Sequence, residues 1–191
     1  MPEEEAIYVS SSSEGSLRQG EIISGLFQYF RSLENKNSVE GETLLDEVTH
    51  PWAIVLTQTC DLEQDFKARS QEAKEEKKIP SILFCEVTTA DKLKGGCGGS
   101  DLWKRIKKNQ DERYHFLQKV KPQEDSIEEG ISELGVDFKR YFTLPTEEVY
   151  HQIKGKAKRR AQLNEPFNRH FISRFFRFQL RVALPFEHLS E

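Results

Sequence analysis

The chain has 191 residues, 36% of them hydrophobic and 31% charged, with a formal net charge of −4. That length suits one domain with a real core. The charge balance excludes a generally basic nucleic-acid binder, so any contact with phosphate has to come from local patches.

Thirteen phenylalanines favour a packed interior over disorder. No run approaches the roughly 18 apolar residues of a membrane-spanning helix. Residues 1–5, Met-Pro-Glu-Glu-Glu, lack the cationic start and apolar stretch of a secretion signal. The three cysteines are odd in number and have no close pairing, which argues against a disulfide framework. A cytoplasmic protein with no membrane contact is expected.

Residues 1–19 read as a flexible arm, because 10–16 are nearly all Ser, Glu and Gly. Gly20-Glu21-Ile22-Ile23 opens a first strand that continues through Phe30. Residues 31–48 read as a polar loop. Residues 52–57, apolar and preceded by Pro51, predict a buried strand. Residues 67–78 have helix-forming composition and read as a solvated, charged insertion. A third strand is predicted over 82–89, and a flexible connector over the glycines of 95–99. A short helix over 102–109 follows, capped by Ser100 or Asp101. Strands are expected at 114–120 and 136–144. Thr146, followed by Glu147 and Glu148, marks a helix start. In the tail, Phe167, Phe171, Phe175, Phe178 and Val182 recur in steps of three and four, the spacing of an amphipathic helix. Strands broken by loops, then helices, predict an α+β domain or a small barrel.

The order of three short pieces resembles the MazF/PemK toxin family: Gly20-Glu21-Ile22-Ile23, then residues 50–57 (His-Pro-Trp-Ala-Ile-Val-Leu-Thr), then residues 84–89 (Phe-Cys-Glu-Val-Thr-Thr). Members of that family are small SH3-like barrels that cut single-stranded RNA without a metal. The resemblance spans about residues 20–90. It implies a MazF/PemK-like barrel over 20–144 carrying a charged insertion, with a helical C-terminal extension over 145–191. It also implies a catalytic pair. The family's arginine before the proline corresponds to His50, and its partner threonine to Thr88. RNA cleavage of this kind needs a base for the 2′-hydroxyl and a cation for the phosphate. Arginine is a permanent cation with a planar fork, whereas histidine serves as base or as cation but not readily as both.

Other chemistry is thinner. Cys60 as a nucleophile would need a neighbouring base, and His50 lies at the far end of the same strand, so Cys60 reads as a buried residue at the strand's end. Thr57, Gln58 and Thr59 fit a ligand-binding rim or an ordinary turn equally well. No Cys or His spacing suggests a metal site, and the glycines of 95–99 lack a phosphate loop's Lys-Ser/Thr; neither metal nor cofactor is expected. Lys154, Lys156, Lys158, Arg159 and Arg160 form a basic run. It reads as a nucleic-acid contact or as a solvated loop offsetting the acidic stretch 124–133. On the terminal helix Arg169, Arg174, Arg177 and Phe178 are the expected partner-binding residues, with the Phe series mainly core.

Together these point to a binding or regulatory module, and the resemblance implies a bacterial or phage toxin- or defence-type system for it. An antitoxin-like or regulatory protein partner is expected, with RNA contact and a homodimer left open. The rival is a metal-independent single-strand endoribonuclease.

Overall fold

The structure is a computed structural model that describes residues 6–31, 45–71 and 75–181. Among these, strands β1 (Tyr8–Ser10), β2 (Glu21–Arg31), β3 (Leu45–Val55), β4 (Ser81–Thr89), β5 (Tyr114–Leu117), β6 (Leu134–Pro145) and β7 (Lys158–Leu163) form one antiparallel sheet in the order β1-β7-β2-β3-β4-β6-β5. Helices α1 (Thr59–Ser70), α2 (Ala90–Gly96), α3 (Ser100–Lys107), α4 (Thr146–Lys154) and α5 (Phe167–Gln179) complete an α+β fold. The sheet is open, with β1 and β5 at its edges, so this pairing does not describe the closed barrel that the resemblance implies.

Two apolar cores lie on the two faces of the sheet. One gathers Ile22, Ile54, Cys85, Val136 and Phe138 under Phe171, Phe175 and Phe178 of α5. The three rings of α5 each stabilise by about 1.5–3 kcal/mol through burial. The other gathers Ile23, Leu26, Val55 and Phe84 under Leu62 of α1 and Val149 of α4. Ile23 and Leu26 are three residues apart yet share this second core, and between them Gly25 takes φ +78°, a backbone conformation that favours glycine. A smaller cluster of Leu93, Ile106 and Phe116 seats α2 and α3 against β5. Leu93 sits so close over Gly135 of β6 that a Cβ there would lie 2.3 Å from its Cδ2. The side chain of Gln152, buried in α4, pairs like a strand with Phe27: it accepts from the Phe27 N–H at 3.0 Å and donates to its carbonyl at 2.9 Å.

Several expectations are corrected. The stretch 1–19 is not a free arm in its described part, since β1 pairs with β7 and Leu17 is fully buried. Residues 145–191 are not only a helical appendage, because β7 lies between β1 and β2 inside the sheet. The charged insertion begins earlier than composition suggests. Helix α1 starts at Thr59, and its Asp65 is fully buried, held by Arg69 at 2.9 Å and by the Ile79 N–H at 2.8 Å. Helix α2 reaches Gly96, into the expected glycine connector. Strand β3 starts at Leu45, inside the expected loop, most of which lies outside the described residues together with Val182. Thr146 does start α4, but its hydroxyl donates to the Ile79 carbonyl at 2.8 Å and does not cap the helix.

Strand β7 is held by two buried ion pairs. Arg159 meets Glu21 at 2.6 and 3.1 Å and also donates to the carbonyls of Gly15 and Ser16, both at 3.0 Å. Arg160 meets Asp125 at 2.8 and 2.6 Å, and its guanidinium lies 5.1 Å from the centre of the Trp52 ring. All four charged side chains are at most 7% exposed. Burial works against the ionised Asp125, but hydrogen bonds from Arg160 and from backbone N–H groups outweigh it and hold its pKa below the ordinary 3.8. A folded-state pKa below the unfolded one adds stability above pH 3.8 that is lost as pH falls through the lower value. Replacing Arg160 by Met strands a buried carboxylate and is expected to lower the unfolding free energy by about 3–5 kcal/mol. Urea denaturation checks this, and Arg160→Met with Asp125→Leu is expected to recover much of the loss.

Candidate functional site

His50 lies in β3 opposite Leu26 and is 6% exposed. Its ring stacks on Phe142, with centroids 3.7 Å apart and planes 7° from parallel. Its Nε2 is 3.0 Å from the Gln28 side-chain oxygen. Gln28 uses its amide N–H on the Thr143 carbonyl at 2.8 Å, so its oxygen accepts and the His50 proton sits on Nε2. The remaining lone pair, on Nδ1, is buried without a hydrogen-bond partner. Burial lowers the His50 pKa, with Glu86 opposing and Arg140 adding to the shift. The ring is a neutral packing element whose free nitrogen is turned away from solvent.

Thr88 lines an open cleft of about 310 Å³ with Glu86, Lys92, Arg113, Asp137 and Arg140, and His50 is not part of that lining. Arg113 grips Asp137 at 2.8 and 2.5 Å, and Arg140 pairs with Glu86 at 3.1 Å. The structure therefore does not bring His50 and Thr88 to one cleft, and the two arginines beside Thr88 already hold carboxylates.

The basic run splits by position. Lys154, Lys156 and Lys158 are exposed, while Arg159 and Arg160 are buried in the ion pairs of β7 and are corrected from surface contacts to structural cations. The opening of α1 is likewise structural: Thr57 accepts from the Leu83 N–H at 2.8 Å and Thr59 from the Gln19 N–H at 3.1 Å. Cys60 is exposed at the start of α1, not buried, and its Sγ lies 3.5 Å from the Gln58 amide oxygen and 3.7 Å from an Asp61 carboxylate oxygen. Cys85 is buried, and its thiol pKa is raised strongly by burial and then by Asp137 and Glu86. Among the described residues no group of three His, Cys, Asp or Glu side chains is arranged to hold a metal ion. None of their helices is long and apolar enough to cross a membrane.

The expected partner residues converge instead. Arg174, Arg177 and Phe178 line one pocket of about 200 Å³ with Arg181, opposite residues 109–112. Arg169 stands apart, exposed and 3.5 Å from Glu165. Arg174 is half-buried and donates to neutral acceptors: Nδ1 of His115 at 3.1 Å, the Tyr114 carbonyl at 2.9 Å, and the Asp111 carbonyl. Burial lowers its pKa; Asp111 opposes the shift and the neighbouring Arg177 adds to it. Arg181 lies over Phe178, its guanidinium carbon 3.6 Å from the ring centre, while its Nε donates to the Phe178 carbonyl at 2.9 Å. Arg177 is exposed and pairs with no acid among the described residues. The Asp111 carboxylate is already engaged by Arg105 at 2.9 Å and by the Arg113 N–H at 3.0 Å. The sequence alone singles out Arg174, Arg177 and Phe178 here, together with Arg169, and does not place Arg181 among the partner-binding residues. The loop that faces them, and Arg174's neutral partners, are not legible in it.

Comparison with models of protein families finds no match to this chain, and comparison with curated proteins finds none either.

His115 is 4% exposed, and burial, reinforced by Arg174 and His170, drives its pKa well below 6.5. A histidine neutral when folded binds a proton more readily when unfolded, so stability falls as pH drops below about 6.5. Ring-nitrogen NMR titration is expected to give midpoints below 6.5 for both His50 and His115, with His115 the lower.

Proposed function

We propose that the protein is a non-catalytic binding or regulatory module whose binding face is the arginine edge of α5 and whose ligand is anionic. The observation that carries this is the set of three arginines, Arg174, Arg177 and Arg181, lining one pocket and forming no salt bridge with an acid among the described residues. Arg174 is half-buried, and three neighbouring cations that form no salt bridge with a described acid attract an anionic partner. The resemblance to MazF/PemK toxins, with histidine where the family has its arginine, supports reading such a module as part of a bacterial or phage toxin- or defence-type system. The burial of His50's free nitrogen and its separation from the Thr88 cleft favour binding over RNA cleavage.

The test has two arms. Labelled single-stranded RNA incubated with the protein in EDTA is expected to stay intact; cleavage that disappears in Thr88→Ala would overturn the non-catalytic reading in favour of a metal-independent endoribonuclease. Poly-glutamate at low salt is expected to bind the wild type and to lose most of its affinity for Arg177→Glu with Arg181→Glu. Equal binding by both proteins would remove α5 as the binding face.

A further inference from the structure

The geometry points to a small phosphate monoester as the ligand of the α5 pocket, its phosphate group held by Arg174, Arg177 and Arg181. This deepens the reading of α5 as an anion-binding face and rests on it.

The number and placement of donors separate phosphate from carboxylate. One guanidinium fork already saturates a carboxylate, whose two oxygens lie in a single plane. Here three arginines line one concavity, which matches a group with three terminal oxygens presented in different directions. Two of the three are fixed in place without using an acid. Arg174 is tied to His115, Tyr114 and Asp111 through neutral atoms. Arg181 is tied to Phe178 through its ring and its carbonyl. Cations positioned in advance lose little side-chain freedom when an anion arrives. Arg177, exposed and forming no pair with another described residue, is the arm that closes on it.

The lining agrees with this in size and polarity. A volume of about 200 Å³ holds a phosphate with a small substituent and falls below the roughly 300–1,000 Å³ of drug-sized sites. Gln110, also in the lining, is exposed, and its side-chain amide makes no hydrogen bond with another described residue, so it remains available as a donor. Glu112 is the lining's remaining unpaired acid, Asp111 being held by Arg105 and backbone N–H groups. It opposes an anion and so provides a second, independent handle.

Calorimetric titration of the full chain with inorganic phosphate, O-phosphoserine and AMP, with acetate as control, tests the inference. The phosphate-bearing probes are expected to bind saturably at one site and acetate at least tenfold more weakly. Affinity is expected to be lower at pH 5 than at pH 7.5, because the phosphate loses part of its charge below its second pKa of about 6. Arg177→Gln and Arg181→Gln are each expected to weaken binding about tenfold, and Glu112→Gln to strengthen it. All three positions are exposed, and unchanged circular dichroism confirms folding. AMP binding more tightly than the other two probes assigns a nucleotide; equal affinities assign the phosphate group alone. The inference is overturned if no phosphate probe binds saturably, or if the Arg177→Gln, Arg181→Gln double variant binds them as the wild type does. Poly-glutamate binding to α5 without phosphate binding would refute only the ligand class, whereas loss of both would refute the binding face itself.

Discussion

Two adjacent arginines on one short strand hold this sheet together. Successive side chains of a strand point to opposite faces, so Arg159 and Arg160 fasten β7 on both sides at once. One binds Glu21 and the carbonyls of residues 14–16; the other binds Asp125 and covers Trp52. Removing four charges from water is costly, and only two-pronged geometry with further hydrogen bonds offsets that cost. Both pairs have that geometry. Their neighbours depend on it: β1 pairs with β7, and β7 in turn closes the outer edge of β2.

The same residues show why the sequence was partly opaque. Strands β2, β4 and β6 and helix α5 declare themselves through apolar periodicity, and each stands close to where the pattern puts it. The alternation of β5 is also clear, although it ends sooner than expected. Strand β7 begins Lys-Arg-Arg, which in isolation describes solvent, because its counter-charges stand 138 and 35 positions away. Helix α1 hid for a related reason: it buries Leu62 and Ala68 beside a carboxylate, so little apolar rhythm marks it. His50 looked like a candidate base by alignment of motifs. Its meaning changes because Gln28 and Phe142, from two other strands, fix its proton and cover its ring.

Helix α5 divides its work between two sides. Phe171, Phe175 and Phe178 enter the core, and this anchoring sets the position of the adjacent edge that carries Arg174, Arg177 and Arg181. Arg174 joins the two sides. Its neutral acceptors come from the loop and strand around residues 111–115, so the helix edge and the pocket wall are set by one hydrogen-bond network. His115 accepts within that network only while neutral, and its burial keeps it so. The polar face is thus as firmly specified as the apolar one.

The strand order β1-β7-β2 also has a consequence for how the chain emerges from the ribosome. Strands β2, β3 and β4 can pair in the order they are made, but the place between β1 and β2 stays empty until residues 158–163 appear. Until then Glu21 lacks its Arg159 partner and β2 keeps one bare edge. Strand β1, made before β2, is therefore seated only after β7.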